Sequence, residues 1–188
     1  MLVRTIFAVL SFFILQDAFA QETSAHTKLR FHSVNQAGLL QGESKGAFHL
    51  QSVNGFENKS WFAGIGVGLD YYRYKSIPLF LDLKKYFGKT KNRFFIYADG
   101  GVHFVWIKNE EAYLKEKYTP GFYSNTGLGY KAGLRNGTAI ILSAGYSYKK
   151  VNLEQEQNFC GIVGPCTIYQ NKYAYDLNRL LIQFGWIF

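Results

Sequence analysis

Two aspartates in neighbouring predicted strands are the residues whose spacing is most suggestive of chemistry. If Phe87 pairs with Phe94 across the turn at residues 88–93, then Asp82 lies directly opposite Asp99. Two adjacent carboxyl groups can share one proton, so that one acts as an acid and the other as a base. An acid-base site is therefore one interpretation of this pair.

A structural interpretation accounts for the same residues without chemistry. Lys84 and His103 fall one step away on the same strand faces, and buried charges have to be paired. We therefore expect a polar network that fills a narrow interior and carries no catalytic residue. Its expected members are Asp70, Asp82, Lys84, Asp99, His103, Lys131 and Arg179.

The cysteines and the remaining histidines indicate no metal or redox site. Cys160 and Cys166 are the only cysteines, and an even number in an exported chain predicts a disulfide that closes a small loop. Their spacing is not the C-x-x-C of a redox enzyme. His26, His32 and His49 have no metal-ligand spacing and no serine partner. We expect no metal and no cofactor.

These side chains have to be positioned by strands. Aromatic residues make up 18% of the chain, which has 14 Tyr, 17 Phe and 19 Gly, a composition that favours β-structure over helix. Strand-like alternation predicts eight segments in an all-β, antiparallel, up-and-down transmembrane barrel. They lie at residues 28–41, 46–56, 61–74, 76–87, 94–107, 121–134, 138–151 and 173–188.

The predicted connections differ in length between the two ends of such a barrel. Short turns at 57–60, 88–93 and 135–137 fall on one side. The other side carries residues 42–45, a tight turn near Lys75, and the long loops 108–120 and 152–172. Outer-membrane barrels place their long loops outside and their short turns in the periplasm.

The segment 61–74 has one apolar face and one face of glycine and polar residues. Trp61 and Tyr71 mark the ends of the apolar face and are separated by roughly 25 Å along the membrane normal, the height of a barrel's apolar band. Aromatic residues at such positions form interfacial girdles. The expected girdle consists of Trp61, Tyr71, Trp106, Trp186 and Phe188.

The alternative to a membrane barrel is a soluble barrel of the lipocalin type, whose apolar face is turned inward. Glycine argues against it, because Gly64, Gly66 and Gly68 lie on the polar face. An eight-stranded barrel has an interior only just wide enough for its side chains, so small residues belong inside. We therefore expect the apolar face to point outward, towards lipid.

The sequence Arg135-Asn136-Gly137 can be assigned a turn type. A two-residue turn would pair lumen residues with lipid-facing ones, whereas a three-residue loop that closes Leu134 against Thr138 keeps the faces consistent. We therefore expect Gly137 to adopt a left-handed conformation.

The N-terminal residues 1–20 have the features of a cleaved signal peptide. Arg4 precedes an apolar run of about ten residues, too short for the roughly 20 that span a bilayer as a helix, and the run leads to Ala18-Phe19-Ala20. Residues 21–188 then form the barrel domain, located in the outer membrane. Export argues against a nucleic-acid partner, and the net charge of +8 favours contact with lipid phosphates.

The end of the chain strengthens the membrane interpretation. From Leu180 to Phe188 every second residue is large and apolar. With the eight strands and the segment WFAGIGVGLDYYRYKSIPLFLDLKKYF, the chain resembles the small outer-membrane barrels typified by the OmpA transmembrane domain, OmpX and OmpW, of the type found in Bacteroidota. The resemblance implies insertion by the barrel assembly machinery, which recognises the last strand and its aromatic end.

These observations together predict a monomeric barrel without enzymatic activity. Its expected role is structural, or one of surface interaction through the loops 108–120 and 152–172. Two alternatives stay open: an outer-membrane enzyme that modifies lipid A or phospholipid, and a narrow channel for small solutes.

Overall fold

The computed structural model describes residues 28–42, 45–71, 74–88, 90–106, 110–111, 114–134, 137–159 and 167–188. The segment 1–20, Cys160 and Cys166 lie outside the described residues, so the signal peptide and the disulfide stay predictions. The strands are β1 (Arg30–Gln41), β2 (Gly46–Glu57), β3 (Trp61–Tyr71), β4 (Lys75–Phe87), β5 (Arg93–Val105), β6 (Glu110–Glu111), β7 (Leu114–Thr119), β8 (Gly121–Gly133), β9 (Ala139–Phe159) and β10 (Thr167–Ile187).

Eight of these strands close into an antiparallel barrel. The neighbours follow chain order through β1, β2, β3, β4, β5, β8, β9 and β10, and β10 then pairs with β1 to close the ring. The predicted fold, an all-β up-and-down barrel, is confirmed. No helix in the described part of the chain is long and apolar enough to cross a membrane.

The segments expected to be the two long loops contain strands. β6 and β7 lie within 108–120, and β7 pairs with β9. The expected loop 152–172 consists mostly of paired strand, because β9 and β10 stay in register from Ala139 opposite Ile187 to Phe159 opposite Thr167. Polar residues suggested a loop here, yet Leu153 is buried and lies opposite Tyr118 in the pairing of β7 with β9, which extends the hairpin.

The outer face of the barrel is apolar along its whole middle. In β3 the odd-numbered side chains point outward and Phe62, Gly66 and Asp70 point inward. Mid-strand aliphatic side chains around the ring are more than 60% exposed: Leu39, Ile65, Leu81, Leu128 and Ile182. The apolar face is therefore on the outside, as expected, and the inverted lipocalin arrangement is wrong.

The interior glycines accommodate aromatic rings from neighbouring strands. A Cβ atom on Gly66 would collide with the ring of Phe80, and one on Gly129 would collide with the ring of Phe95. The rings are buried, at 2% and 1% exposure. Small residues therefore line the crowded side because aromatic side chains fill the space above them.

The turn between β8 and β9 has the expected form. The Leu134 N–H donates to the Thr138 carbonyl at 2.9 Å, and Gly137 has a φ of 82°. The next pair in the ladder is Gly133 opposite Ala139. The predicted closure of Leu134 against Thr138 and the left-handed conformation of Gly137 are both confirmed.

Candidate functional site

Among the described residues, the ion-paired side chains of the interior form three groups at different heights in the barrel. We call the end with the β9–β10 hairpin the hairpin end, and the end with the turns at 58–60, 88–92 and 134–138 the turn end. The hairpin-end group contains Asp70 and Lys149, and the middle group contains Asp82, Lys84 and Asp99. The turn-end group consists of Glu57, Arg93 and Lys131.

The middle group is built on the predicted pair of carboxylates. Asp82 lies opposite Asp99 in the register of β4 and β5. Lys84 forms an ion pair with Asp82. Asn125 donates to Asp99 Oδ2 at 3.0 Å and accepts the Tyr97 O–H at 3.3 Å. Every carboxylate of this group therefore has a fixed polar neighbour inside the barrel.

The hairpin-end group combines an ion pair with a serine. Lys149 forms an ion pair with Asp70 and donates to Ser76 Oγ at 3.0 Å. The Ser76 hydroxyl donates to Asp70 Oδ1 at 2.9 Å, and His49 Nδ1 lies 4.0 Å from Asp70 Oδ2. These side chains are between 1% and 4% exposed. The Ser76 hydroxyl donates its proton to Asp70 and accepts from Lys149, so the three side chains form a closed structural network.

A belt of neutral side chains continues from this group across the barrel. His49 Nε2 lies 3.0 Å from Gln51 Oε1, and Gln51 donates to Gln36 at 2.9 Å. Gln36 donates to Ser143 at 3.1 Å, and Ser143 donates to Gln183 at 3.3 Å. The belt joins β2, β1, β9 and β10 and therefore spans the seam at which the barrel closes.

The turn-end group is centred on Glu57. Lys131 Nζ and an Arg93 nitrogen each lie 2.6 Å from one of its carboxylate oxygens. Arg93 also donates to the Lys59 carbonyl at 2.7 Å. Both cations lie over the ring of Tyr86, at 4.5 Å for Arg93 and 5.0 Å for Lys131. This group therefore ties β2, β4, β5 and β8 together at the rim.

The structure brings together only part of the predicted polar network. Asp82, Lys84 and Asp99 share one group, whereas Lys131 bonds to Glu57 at the turn end and Asp70 bonds to Lys149. His103 Nε2 lies 2.9 Å from the Lys150 carbonyl, and Arg179 donates to the Lys45 carbonyl at 2.7 Å, both towards the hairpin end.

Two partners were missed by the sequence reasoning. Glu57 continues the inward positions Gln51 and Val53 of β2, and Lys149 continues the inward positions of β9 through Ser147. The alternation of each strand therefore carried the signal that these two charges point into the barrel.

A cavity of ≈ 1040 Å³ opens at the turn end, and we call it the vestibule. Serine, threonine and glycine residues of the turns line part of it. The charged side chains that line it are Lys28, Arg30, Glu57, Lys59, Lys91, Arg93 and Lys131. The vestibule is therefore strongly basic.

The hairpin end continues beyond the barrel as a small sheet, which we call the hairpin extension. It consists of residues 152–159 and 167–179 of β9 and β10, with β7 and β6 beside β9. β1 pairs with β10 only from Leu180 onward, so within the described residues one edge of 167–179 is not paired with another strand.

Hydrogen bonds and burial shift the pKa values of a tyrosine and of an exposed ion pair in the hairpin extension. Burial, together with a hydrogen bond to Glu116 at 2.8 Å, raises the pKa of Tyr118. The hydrogen bond between Lys172 and Glu154, 2.9 Å long, lowers the pKa of Glu154 and raises that of Lys172. At neutral pH the tyrosine is thus protonated and the exposed pair is fully charged.

The expected girdle residues all lie on the outer face. Trp61, Trp186 and Phe188 are at the turn end, and Tyr71 and Trp106 are at the hairpin end, each between 43% and 68% exposed. Lys85 Nζ lies 4.3 Å from the centre of the Trp61 ring and Lys75 Nζ lies 5.8 Å from that of Tyr71. The two sets are separated by the length of β3.

An eight-stranded up-and-down barrel with an apolar outer face and a filled polar interior has the architecture of a small transmembrane β-barrel protein. The outer membrane protein AlkL, solved by solid-state NMR in DMPC lipid bilayers, is similar in fold. Its TM-score is 0.56 at 10% identity, over 90% of this chain and 94% of AlkL. At that identity the similarity concerns the fold alone. A scan against protein-family models finds no match, and neither does a search of curated proteins.

Proposed function

We propose that the protein is exported and spans the outer membrane as a monomeric barrel, with the turn end in the periplasm and the hairpin extension outside. The continuous apolar outer face supports this placement, because exposed apolar surface of this extent needs lipid or a partner to cover it. The two aromatic sets lie where lipid interfaces would be. Outer-membrane lipid and, during insertion, the barrel assembly machinery are the partners proposed with it.

We propose further that the barrel is an anchor and that the hairpin extension is a surface for binding. The observation that carries this proposal is that the β9–β10 hairpin continues beyond Leu180, where the pairing of β10 with β1 ends. The extension exposes Tyr169 and Tyr173, at 56% and 41%, beside a strand edge. Tyrosine is enriched at protein interfaces, and an open strand edge can accept an added strand.

The packed interior supports an anchor more than a channel. Phe62, Phe95 and Tyr123 are at most 1% exposed, so side chains fill the section of the barrel that a solute would cross. The interior networks also give no support to a lipid-modifying enzyme, because Ser76, Lys149 and His49 point inward, away from the lipid face.

Lysine labelling tests the orientation. A membrane-impermeant amine reagent is added to intact cells, and the labelled lysines are identified by mass spectrometry. We expect Lys117 and Lys172 of the hairpin extension to react, and Lys59 and Lys91 of the turn end to react only after the outer membrane is permeabilised. Labelling of Lys59 and Lys91 alone on intact cells would invert the proposed orientation.

A shortened hairpin tests the binding role. Replacing residues 154–172 with a short turn keeps Leu153 opposite Tyr173 and all of the barrel pairing. We expect cells that produce this form to match the full-length form in detergent resistance, while adhesion to protein-coated and glycan-coated surfaces is lost. A purely structural protein would leave adhesion the same in both forms.

A further inference from the structure

The vestibule carries positive charge that its own carboxylate does not balance. Six of its lining side chains are lysine or arginine, and Glu57 is the only acidic one among the lining residues that the structure describes. We infer that the vestibule is a binding site for a phosphate-bearing anion at the turn end of the barrel. This inference is separate from the binding role proposed for the opposite end.

The cations reach the vestibule from different parts of the chain. Lys28 precedes β1, Lys59 belongs to the β2–β3 turn and Lys91 to the β4–β5 turn, while Arg30 and Lys131 lie on β1 and β8. A run of charges on one turn would be a solvated surface. Charges that converge on one concave space from around a ring instead create a focused positive potential.

Glu57 leaves most of this charge uncompensated. Its two oxygens are each occupied by one cation, Lys131 and Arg93, at 2.6 Å. Lys28, Arg30, Lys59 and Lys91 therefore face the same space without a second lining carboxylate among the described residues. Like charges held close together repel, and a bound anion would relieve that repulsion.

The size and the lining fit phosphate. A cavity of ≈ 1040 Å³ is slightly larger than the usual range of small-molecule pockets, about 300–1,000 Å³, so it has room for a small molecule that carries phosphate. Ser60, Thr90 and Thr138 add hydroxyl groups to the lysines and arginines. A phosphate group carries more than one negative charge and several acceptor oxygens, which matches several cations better than a single carboxylate does.

Two sources can supply this chemistry, a soluble phosphate compound and the headgroup of a phospholipid. The geometry favours the soluble source, because the barrel wall separates the vestibule from lipid. The side chains of Phe56, Trp61 and Phe94 face outward on that wall, whereas Glu57 and Lys131 face inward.

The test uses the full barrel in a detergent without phosphorus, titrated with inorganic pyrophosphate by calorimetry. The variant Arg30→Gln/Lys59→Gln/Lys91→Gln removes three vestibule cations and spares the contacts of Glu57. The matched control, Lys45→Gln/Lys117→Gln/Lys150→Gln, removes the same charge from the opposite end. We expect the wild type to bind pyrophosphate and the vestibule variant to bind it with a Kd at least about tenfold higher, since each charge-assisted contact is strong. The Kd of the control should stay within about twofold of the wild-type value.

A second arm separates the sources. The thermal stability of the wild type and of both variants is compared in phosphatidylglycerol and in phosphatidylcholine vesicles, without added phosphate. Stabilisation by phosphatidylglycerol that only the vestibule variant loses would assign the site to a lipid headgroup. Two results together would overturn the inference. In the first arm, pyrophosphate does not bind, or both triple variants weaken its binding equally. In the second arm, the lipid dependence of stability is the same in all three proteins.

Discussion

Asp82 on β4 and Asp99 on β5 lie directly opposite each other and are buried, at 2% and 3% exposure. Lys84 binds Asp82, and Asn125 binds Oδ2 of Asp99. Within the described residues the Oδ1 atom of each carboxyl group has no hydrogen-bond partner. One proton shared between the two carboxyl groups would satisfy both atoms and would leave the middle group neutral.

The two aspartates should therefore respond differently to substitution. Asp99→Asn keeps an N–H that can donate to Asp82, so we expect the free energy of unfolding to change by less than about 1 kcal/mol. Asp82→Asn leaves the buried Lys84 without its carboxylate, and we expect a loss of about 3–5 kcal/mol. Urea unfolding of the barrel in lipid vesicles measures both.

Equal losses for Asp82→Asn and Asp99→Asn would contradict the shared proton. Such a result would indicate that Lys84 stabilises both carboxyl groups together and that no proton is shared between them.

The Asp70 and Lys149 pair should show strong coupling. Lys149→Met leaves Asp70 buried with Ser76 as its remaining donor, and we expect about 3–5 kcal/mol of lost stability. Asp70→Asn combined with Lys149→Met removes both charges and should recover most of that loss. A double-mutant cycle measured by unfolding checks this expectation, and additive effects of the two substitutions would contradict it.

The barrel and the pairing of its neighbouring strands could be predicted from the sequence. Alternation with a period of two assigned the faces, and the short turn at 88–93 then placed Phe87 opposite Phe94 and Asp82 opposite Asp99. The face pattern was enough to set the register of neighbouring strands, because a shift of the register by one residue would have turned every side chain of a strand to the wrong face.

The contacts across the barrel could not be predicted in the same way. Glu57 on β2 meets Lys131 on β8, and Lys149 on β9 meets Asp70 on β3. Which strands face each other at a given height depends on the accumulated stagger of all eight registers, and an error in one turn moves every later partner. The register of one pair of neighbouring strands therefore does not show which side chains meet across the barrel.

An inward-facing glycine, Gly129, and an outward-facing one, Gly100, provide a test of packing. An added methyl group at Gly129 would collide with the buried ring of Phe95, whereas one at Gly100 would meet nothing within 4 Å. We expect Gly129→Ala to lower the free energy of unfolding by about 1–3 kcal/mol, as overpacking does, and Gly100→Ala to be close to neutral. Unfolding midpoints measure both, and equal tolerance would show that the interior is looser than described.

The filled interior also predicts the electrical behaviour of the barrel. Phe62 and Tyr123 are fully buried in its section. We therefore expect no steady single-channel current when the purified protein is inserted into planar bilayers in concentrated KCl. The wild type and the form with the shortened hairpin should behave alike, because the side chains that fill the section belong to the barrel. Reproducible current steps in either form would favour the narrow-channel alternative.

Phe188 tests the membrane placement of the turn end. Its backbone N–H donates to the Ser33 carbonyl at 3.1 Å and its carbonyl accepts from the Ser33 N–H at 2.8 Å, so the seam between β10 and β1 does not depend on its side chain. The ring itself is 60% exposed on the outer face. A fully buried Phe contributes at most ~3 kcal/mol, and we expect about half of that at an interface.

Phe188→Asp should accordingly reduce the amount of protein in the outer-membrane fraction of cells, while the purified variant still refolds in detergent. Phe188→Leu keeps an apolar side chain at the same position and serves as the control, with near-normal levels expected. Heat-modifiable migration on gels measures the folded fraction in both settings. If Phe188→Asp reaches the outer membrane at wild-type levels, the ring does not sit at a lipid interface. If it fails to refold in detergent, the ring instead packs to hold the seam, because the two bonds to Ser33 alone do not close it.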